Sequence, residues 1–124
     1  MKDTCILVVD DDQDVLEMAD CFFRKAGIDV QCAESGEKAL EKILITSFSA
    51  IITDFNMPGM NGVELAEKVR IIAPSIPIFM TTGRPSKELS DLAAQAGIRT
   101  ILPKPLHLET LLNLVNEVMP STSS

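Results

Sequence analysis

The sequence of 124 residues has no tryptophan, no tyrosine and one histidine, and only 4% of it is aromatic. Stacking on nucleic acid bases therefore has few candidate side chains. No apolar run reaches the roughly 18 residues that a membrane-spanning helix needs. The first residues also lack the apolar stretch and cleavage site of a signal peptide. These absences predict a cytoplasmic protein that binds neither nucleic acid nor membrane.

Cysteine and positive charge are also scarce. Three cysteines without a CxxC motif argue against a disulfide framework or a zinc site. We expect them to be small buried side chains in a reducing compartment. Acidic residues outnumber basic ones by 18 to 11, which gives a formal net charge of −7. A surface that negative repels nucleic acid and anionic membranes, but it tolerates a metal ion or a basic partner.

Short apolar runs of strand character alternate with stretches of helical period along the whole chain. Turn or acidic residues bound the predicted strands, which are Thr4–Val9, Ile28–Ala33, Ala50–Thr53, Ile76–Thr81 and Thr100–Leu102. Five helices are predicted between and after them. Their expected N-caps include Ser35 and Ser86, and their stop signals are Gly27, Pro74, Gly97 and Pro120.

This alternation predicts an α/β protein of the flavodoxin-like (βα)5 type. Its parallel sheet would have the strand order 2-1-3-4-5, with helices on both faces. The length suits one domain over residues 1–120, followed by a polar tail at 121–124. In such folds a ligand binds beyond the carboxyl ends of the strands.

Charged side chains follow three of the predicted strands. Asp10 and Asp11 follow the first, Asp54 follows the third, and Lys104 follows the fifth. Two like charges about 4 Å apart repel by roughly 4 kcal/mol at an effective dielectric of 20. A hard divalent cation with oxygen ligands would offset that repulsion, and Mg²⁺ is the expected ion, with Mn²⁺ as the alternative.

The same residue types suit phosphoryl transfer. A carboxylate such as Asp54 beside a divalent ion can attack phosphorus and become an aspartyl phosphate. The transfer needs in-line positioning and neutralisation of the phosphoryl oxygens. The ammonium of Lys104 offers a compact positive charge, and the hydroxyl of Thr82 offers a hydrogen-bond donor.

Four motifs resemble the receiver domain of two-component response regulators, close to the single-domain chemotaxis type. They are VVDD at 8–11, DFNMPGMNG at 54–62, MTTG at 80–83 and KP at 104–105. The resemblance implies a signalling switch. It would accept a phosphoryl group from a histidine kinase or phosphotransfer protein in a Mg²⁺-dependent reaction. Its output would pass to an effector protein or a missing output domain. Such a domain catalyses only its own phosphorylation and dephosphorylation, so it is not an enzyme acting on an external substrate.

The resemblance also implies residue roles. Asp54 would be the phosphoacceptor, Thr82 the switch hydroxyl and Lys104 the phosphate-binding base. The implied metal ligands are Asp10, Asp11, Asp54 and the backbone carbonyl of Asn56. A cis peptide is implied at Lys104-Pro105, and self-association would be absent or weak, through the face of the fourth helix, fifth strand and fifth helix.

Neighbouring residues receive structural interpretations. Gly83 matches the small residue that follows the family's switch hydroxyl, so Thr81 is interpreted only as a strand residue. Asp12 and Asp14 are expected to be acids of the first helical turn, where the helix dipole favours them. His107 is expected at a helix start or on the surface, and Met57 and Met60 are expected to pack in the loop after Asp54. The sequence departs from the family at Ile101, three positions before Lys104. Receiver domains often have an aromatic residue there, whose ring moves inward together with the switch hydroxyl. Leu106 likewise replaces a common phenylalanine.

Three other functions fit the sequence less well. A haloacid-dehalogenase-type phosphatase would need an acidic ligand near the fourth strand, where residues 82–85 read TGRP. A flavodoxin-like cofactor binder would cradle phosphate after the first strand, where four acids within residues 10–14 repel it. A pseudo-receiver that only docks partners should lack one of the acidic, hydroxyl or lysine positions, and none is missing.

Overall fold

The computed structural model describes residues 5–118, in which five strands alternate with five helices. The strands are β1 (Cys5–Val9), β2 (Asp29–Ala33), β3 (Ala50–Asp54), β4 (Ile78–Thr82) and β5 (Thr100–Pro103). The helices are α1 (Gln13–Lys25), α2 (Gly36–Ile45), α3 (Gly62–Ile72), α4 (Lys87–Gln95) and α5 (Leu108–Val118). Within this range no helix combines the length and apolarity that crossing a bilayer requires. The predicted polar tail, Thr4 and Pro120 lie outside the described residues.

All five strands are parallel and lie in the order β2-β1-β3-β4-β5, which confirms the predicted fold class. Five strand ends differ from the prediction by one or two residues. Three are shifts of one residue, since β2 begins at Asp29, β4 ends at Thr82 and β5 ends at Pro103. β3 continues through Asp54, because the backbone N–H of Phe55 still bonds the carbonyl of Thr81 over 2.9 Å. β4 begins at Ile78 rather than Ile76, directly after Pro77, which has no N–H for the ladder.

The sheet separates two apolar cores. One lies under α2, α3 and α4, and its largest fully buried side chains include Leu7, Ile51, Leu65 and Met80. The other lies under α1 and α5, and its largest include Ile6, Phe23, Phe79 and Leu111. Alternate residues of each central strand enter opposite cores, as the period of a strand requires. With both faces covered, polar groups can collect only at the strand ends.

Side-chain caps fix where the helices begin. Ser35 and Ser86 accept hydrogen bonds from backbone N–H groups of α2 and α4, as predicted. Asn61 and Glu64 form a reciprocal capping box at the start of α3. Gly62 follows at once, and a Cβ there would lie 2.5 Å from the carbonyl oxygen of Asp54. Only glycine therefore lets the loop after β3 close tightly against the strand end.

Candidate functional site

The predicted acids and lysine meet at the carboxyl edge of the sheet. Asp10 directly follows β1 and Asp54 is the last residue of β3, and both are almost fully buried. Lys104 directly follows β5 and remains one-third exposed. Its Nζ lies 3.1 Å from Asp54 Oδ1 and 3.9 Å from Asp10 Oδ2. The topology thus brings together residues that are 94 positions apart in sequence (104 − 10).

Three carboxylates could share a cation. Asp10, Asp11 and Asp54 each present one oxygen, and these oxygens lie within 4.8 Å of one another. Asp11 is exposed, whereas the other two are buried, so the group opens to solvent on one side. A small set of carboxylates with room for water is the donor set that Mg²⁺ and Mn²⁺ prefer. Asn56 lies two residues past β3 and is exposed, and its carbonyl remains a predicted ligand.

The Asp10 carboxyl is costly to ionise. Burial is the main reason that its pKa rises to about 6, and the carboxylates of Asp54 and Asp11 add to the rise. The backbone N–H of Asp12, which donates to Asp10 Oδ1 over 3.0 Å, and the nearby Lys104 lower that pKa in part. The charged form of Asp10 therefore stores unfavourable free energy that a bound cation would relieve.

Lys104 remains a cation in this setting. Burial lowers its pKa, but the contact with Asp54 and the charges of Asp10 and Asp11 outweigh that effect, so the pKa is raised overall. The three acids therefore face a positive charge that persists across the physiological pH range. A single ammonium cannot neutralise three carboxylates, which leaves the site able to take up a divalent ion.

We predict that Asp10→Asn stabilises the metal-free protein by about 3 kcal/mol near neutral pH, from the pKa rise and the linkage relation. Asparagine keeps an oxygen that can accept from the Asp12 N–H. Because the Asp10 pKa is raised on folding, its penalty is small at about pH 4 and is complete above about pH 7. The variant's advantage should therefore grow as pH rises between those limits.

Urea denaturation in chelator at both pH values measures this difference, and Asp11→Asn, at an exposed acid of the same group, is the matched control. Adding Mg²⁺ should then stabilise the native protein more than Asp10→Asn. An equal advantage of Asp10→Asn at both pH values would contradict the assigned charge penalty.

Two adjacent threonines at the end of β4 differ in their contacts. Thr82 is buried, and its hydroxyl accepts a hydrogen bond from the backbone N–H of Arg84 over 3.1 Å. The Thr81 hydroxyl instead donates to Asp54 Oδ1 over 3.3 Å. Sequence reasoning placed Thr81 correctly in the strand but missed this contact. The signal was strand register, because Thr81 pairs with Asp54 across the ladder and so points to the same face.

Most structural interpretations of nearby residues agree with the geometry. Asp12 caps α1 rather than lying in its first turn, because its side chain accepts from the N–H of Asp14. Met57 joins the core under α2, α3 and α4, and Met60 packs against it. His107 is exposed just before α5.

Three further expectations concern burial and backbone. Cys5 and Cys32 are half-buried, but the expectation of burial is wrong for Cys21, which lies on the exposed face of α1. Ile101 is half-buried against the core under α2, α3 and α4, and Leu106 packs against the other core. The Lys104-Pro105 peptide is cis, as the resemblance implied.

Comparison with known proteins identifies relatives over almost the entire chain. A family model described as the response regulator receiver domain matches residues 6–116. The response regulator receiver protein CpdR of Brucella abortus is 32% identical over 114 residues, covering 92% of this chain and 95% of its own. A response regulator receiver protein of Anaeromyxobacter sp. is 34% identical over 108 residues, covering 87% of this chain and 45% of its own. Response regulator MprA of Mycobacterium sp. is 34% identical over 118 residues, with 95% and 51% covered. The chain thus spans about half the length of the last two relatives.

Solved structures give the same result. Chemotaxis protein CheY4 of Vibrio cholerae superposes with a TM-score of 0.91 at 33% identity, covering 95% of this chain and 100% of that one. A receiver domain protein of Methanospirillum hungatei gives a TM-score of 0.89 at 31% identity, covering 94% and 93%. With the topology and the family match in agreement, this chain belongs to the response regulator receiver domain family.

Proposed function

We propose that this receiver domain is a signalling switch in which Asp54 accepts a phosphoryl group. The observation that carries the proposal is the convergence at one strand end. The buried Asp54 carboxylate lies 3.1 Å from the Lys104 ammonium, within the acidic group that also contains Asp10 and Asp11. A buried nucleophile that shares its site with a positively charged side chain is an arrangement suited to group transfer.

The transfer itself needs no proton. A carboxylate oxygen of Asp54 attacks phosphorus, a P–O or P–N bond to the donor's leaving group breaks, and a P–O bond to Asp54 forms. Excess negative charge gathers on the phosphoryl oxygens during this step. Lys104, already 3.1 Å from Asp54 Oδ1, is close enough to receive part of that charge. We assign the hydroxyl of Thr82, at the end of β4, to the phosphoryl group as well.

The metal ligands in this proposal are the carboxylates of Asp10, Asp11 and Asp54, together with the backbone carbonyl of Asn56. Mg²⁺, when bound, would neutralise part of the charge of the phosphoryl oxygens. Mn²⁺ could replace it, because both ions prefer oxygen ligands. The raised pKa of Asp10 fits this role, since a cation relieves the penalty of ionising that buried carboxyl.

We further propose that a histidine kinase or phosphotransfer protein supplies the phosphoryl group, and that the face formed by α4, β5 and α5 carries the output. Leu92 of α4 and Leu112 of α5 are each about half exposed there. The backbone N–H of Lys104 donates to the Thr82 carbonyl over 2.9 Å, which joins the site to this face. An effector protein, an output domain or a weakly bound second copy would dock on it.

Intact-mass spectrometry tests the proposal directly. Incubation with acetyl phosphate and Mg²⁺ should add the mass of one phosphoryl group, and chelation of the metal should abolish the addition. A rival reading, a docking module that is never phosphorylated, predicts no added mass under either condition. Absence of labelling from acetyl phosphate and from a phosphorylated histidine kinase would refute the switch.

A further inference from the structure

Thr81 touches the proposed phosphoacceptor. Its side chain is buried in β4, directly across the ladder from Asp54, and its hydroxyl donates to Asp54 Oδ1 over 3.3 Å. The backbone holds this placement, because the carbonyl of Thr81 accepts from the N–H of Phe55 over 2.9 Å. The hydroxyl therefore cannot leave the carboxylate without a change in strand pairing or in side-chain rotamer.

Two donors converge on the same oxygen. Lys104 Nζ lies 3.1 Å from Asp54 Oδ1, the atom that the Thr81 hydroxyl also contacts. Lysine reaches this oxygen on a long flexible stem that is one-third exposed, whereas threonine is a stiff β-branched residue inside the sheet. A point charge alone leaves the plane of a carboxylate free to rotate. A second donor, fixed in direction, defines that plane.

We propose that Thr81 is a positioning residue that sets the orientation of the Asp54 carboxylate for in-line attack on phosphorus. The inference rests on the proposed function of Asp54. In-line transfer needs an oxygen lone pair aimed at phosphorus, so rotation of the carboxylate slows the step. The separation of 3.3 Å is longer than most O–H···O bonds, and such contacts commonly shorten in the reactive complex.

A purely structural explanation is available, because a buried hydroxyl needs a partner. Thr53, in the same sheet, has a hydrogen-bond partner for its buried hydroxyl that is not the Asp54 carboxylate. It is fully buried in β3, and its hydroxyl donates to the backbone carbonyl of Asp54 over 3.1 Å. Thr53 lies next to Asp54 in the chain and points into the opposite core. It therefore provides a matched control for removing a buried hydroxyl beside Asp54.

The experiment compares Thr81→Val, Thr81→Ala and Thr81→Ser with Thr53→Val in the full chain. Acetyl phosphate with Mg²⁺ is the donor, acetate is the leaving group, and intact mass gives the rate. Loss of the Thr81 hydroxyl in the valine and alanine variants should slow phosphorylation by about tenfold, the effect of one hydrogen bond to a charged group. Thr81→Ser should restore most of the rate, and Thr53→Val should phosphorylate at the native rate.

Calorimetric titration with Mg²⁺ distinguishes a positioning role of Thr81 from general damage to the site. Metal affinity should fall much less than the phosphorylation rate in Thr81→Val, because Asp10 and Asp11 keep their carboxylates. Native rates in both Thr81→Val and Thr81→Ala would overturn the inference while leaving Asp54 as phosphoacceptor. A Thr81→Ser rate as low as that of Thr81→Val would also overturn it, by pointing to packing. Absence of labelling in the native protein would instead overturn the proposed function, and this inference with it.

Discussion

Replacement of Asp54 by asparagine is expected to abolish the phosphoryl mass gained from acetyl phosphate and Mg²⁺. The amide keeps the size of the side chain but is not a nucleophile at neutral pH. It also removes one of the three carboxylates that lie within 4.8 Å of one another. The loss should be complete rather than partial, because the covalent acceptor itself is gone.

The fold should survive this change. Asparagine retains an oxygen that can accept from the Thr81 hydroxyl, and one fewer acid relieves repulsion around Asp10. Asp14→Asn, at an exposed acid in the first turn of α1, is the matched control and should label at the native rate. Circular dichroism checks the fold of both variants. Labelling of Asp54→Asn at the native rate would show that another residue is the acceptor.

Replacement of Lys104 by methionine is expected to uncouple the site from the output face. Methionine keeps an unbranched apolar side chain but removes the ammonium that lies 3.1 Å from Asp54 Oδ1. Binding of beryllofluoride, a mimic of the phosphoryl group, should weaken by about tenfold or more, since a charged contact is lost. Whatever mimic still binds should no longer change hydrogen exchange in α4, β5 and α5.

Two further variants help to interpret the result for Lys104→Met. Arg99→Met removes a cation that pairs with Glu117 over 3.3 Å rather than with the acids of the site. This variant should preserve the exchange response. Ile101→Ala removes half-buried packing and should loosen β5 with and without the mimic, while keeping most of the difference between the two states. A full exchange response in Lys104→Met would contradict the proposed route through Lys104. Its complete loss in Ile101→Ala would identify the isoleucine as the switch element.

The sequence predicted the fold class because its physical signals were strong and local. Short apolar runs that end in acids or turn residues are typical of strands covered on both faces. Such strands form a parallel sheet with helices on each side. Because ligands in such folds bind beyond the carboxyl ends of the strands, Asp10, Asp54 and Lys104 were predicted to share one edge of the sheet. Prediction of a shared site therefore needed only the order of the elements.

What the sequence did not predict depends on register and on side-chain direction. The Thr81 contact needs the pairing of Thr81 with Asp54, and no local pattern states which strand residues are opposite each other. The exposed Cys21 shows the same limit, because composition favours burial of cysteine while position on α1 decides it. The end of β3 shifted by one residue for a related reason, since a single interstrand hydrogen bond extended it.

The outer strand β5 has a consequence for association between molecules. A strand at the border of a sheet offers free backbone groups on which a second chain can add a strand. β5 is only four residues long, and it ends in Pro103, which has no N–H to donate. Pro105, which also has no N–H to donate, follows two residues later. Extension of the sheet from one molecule into the next is therefore disfavoured along this border, and self-association on this side would rely on helix packing rather than on a shared β-ladder.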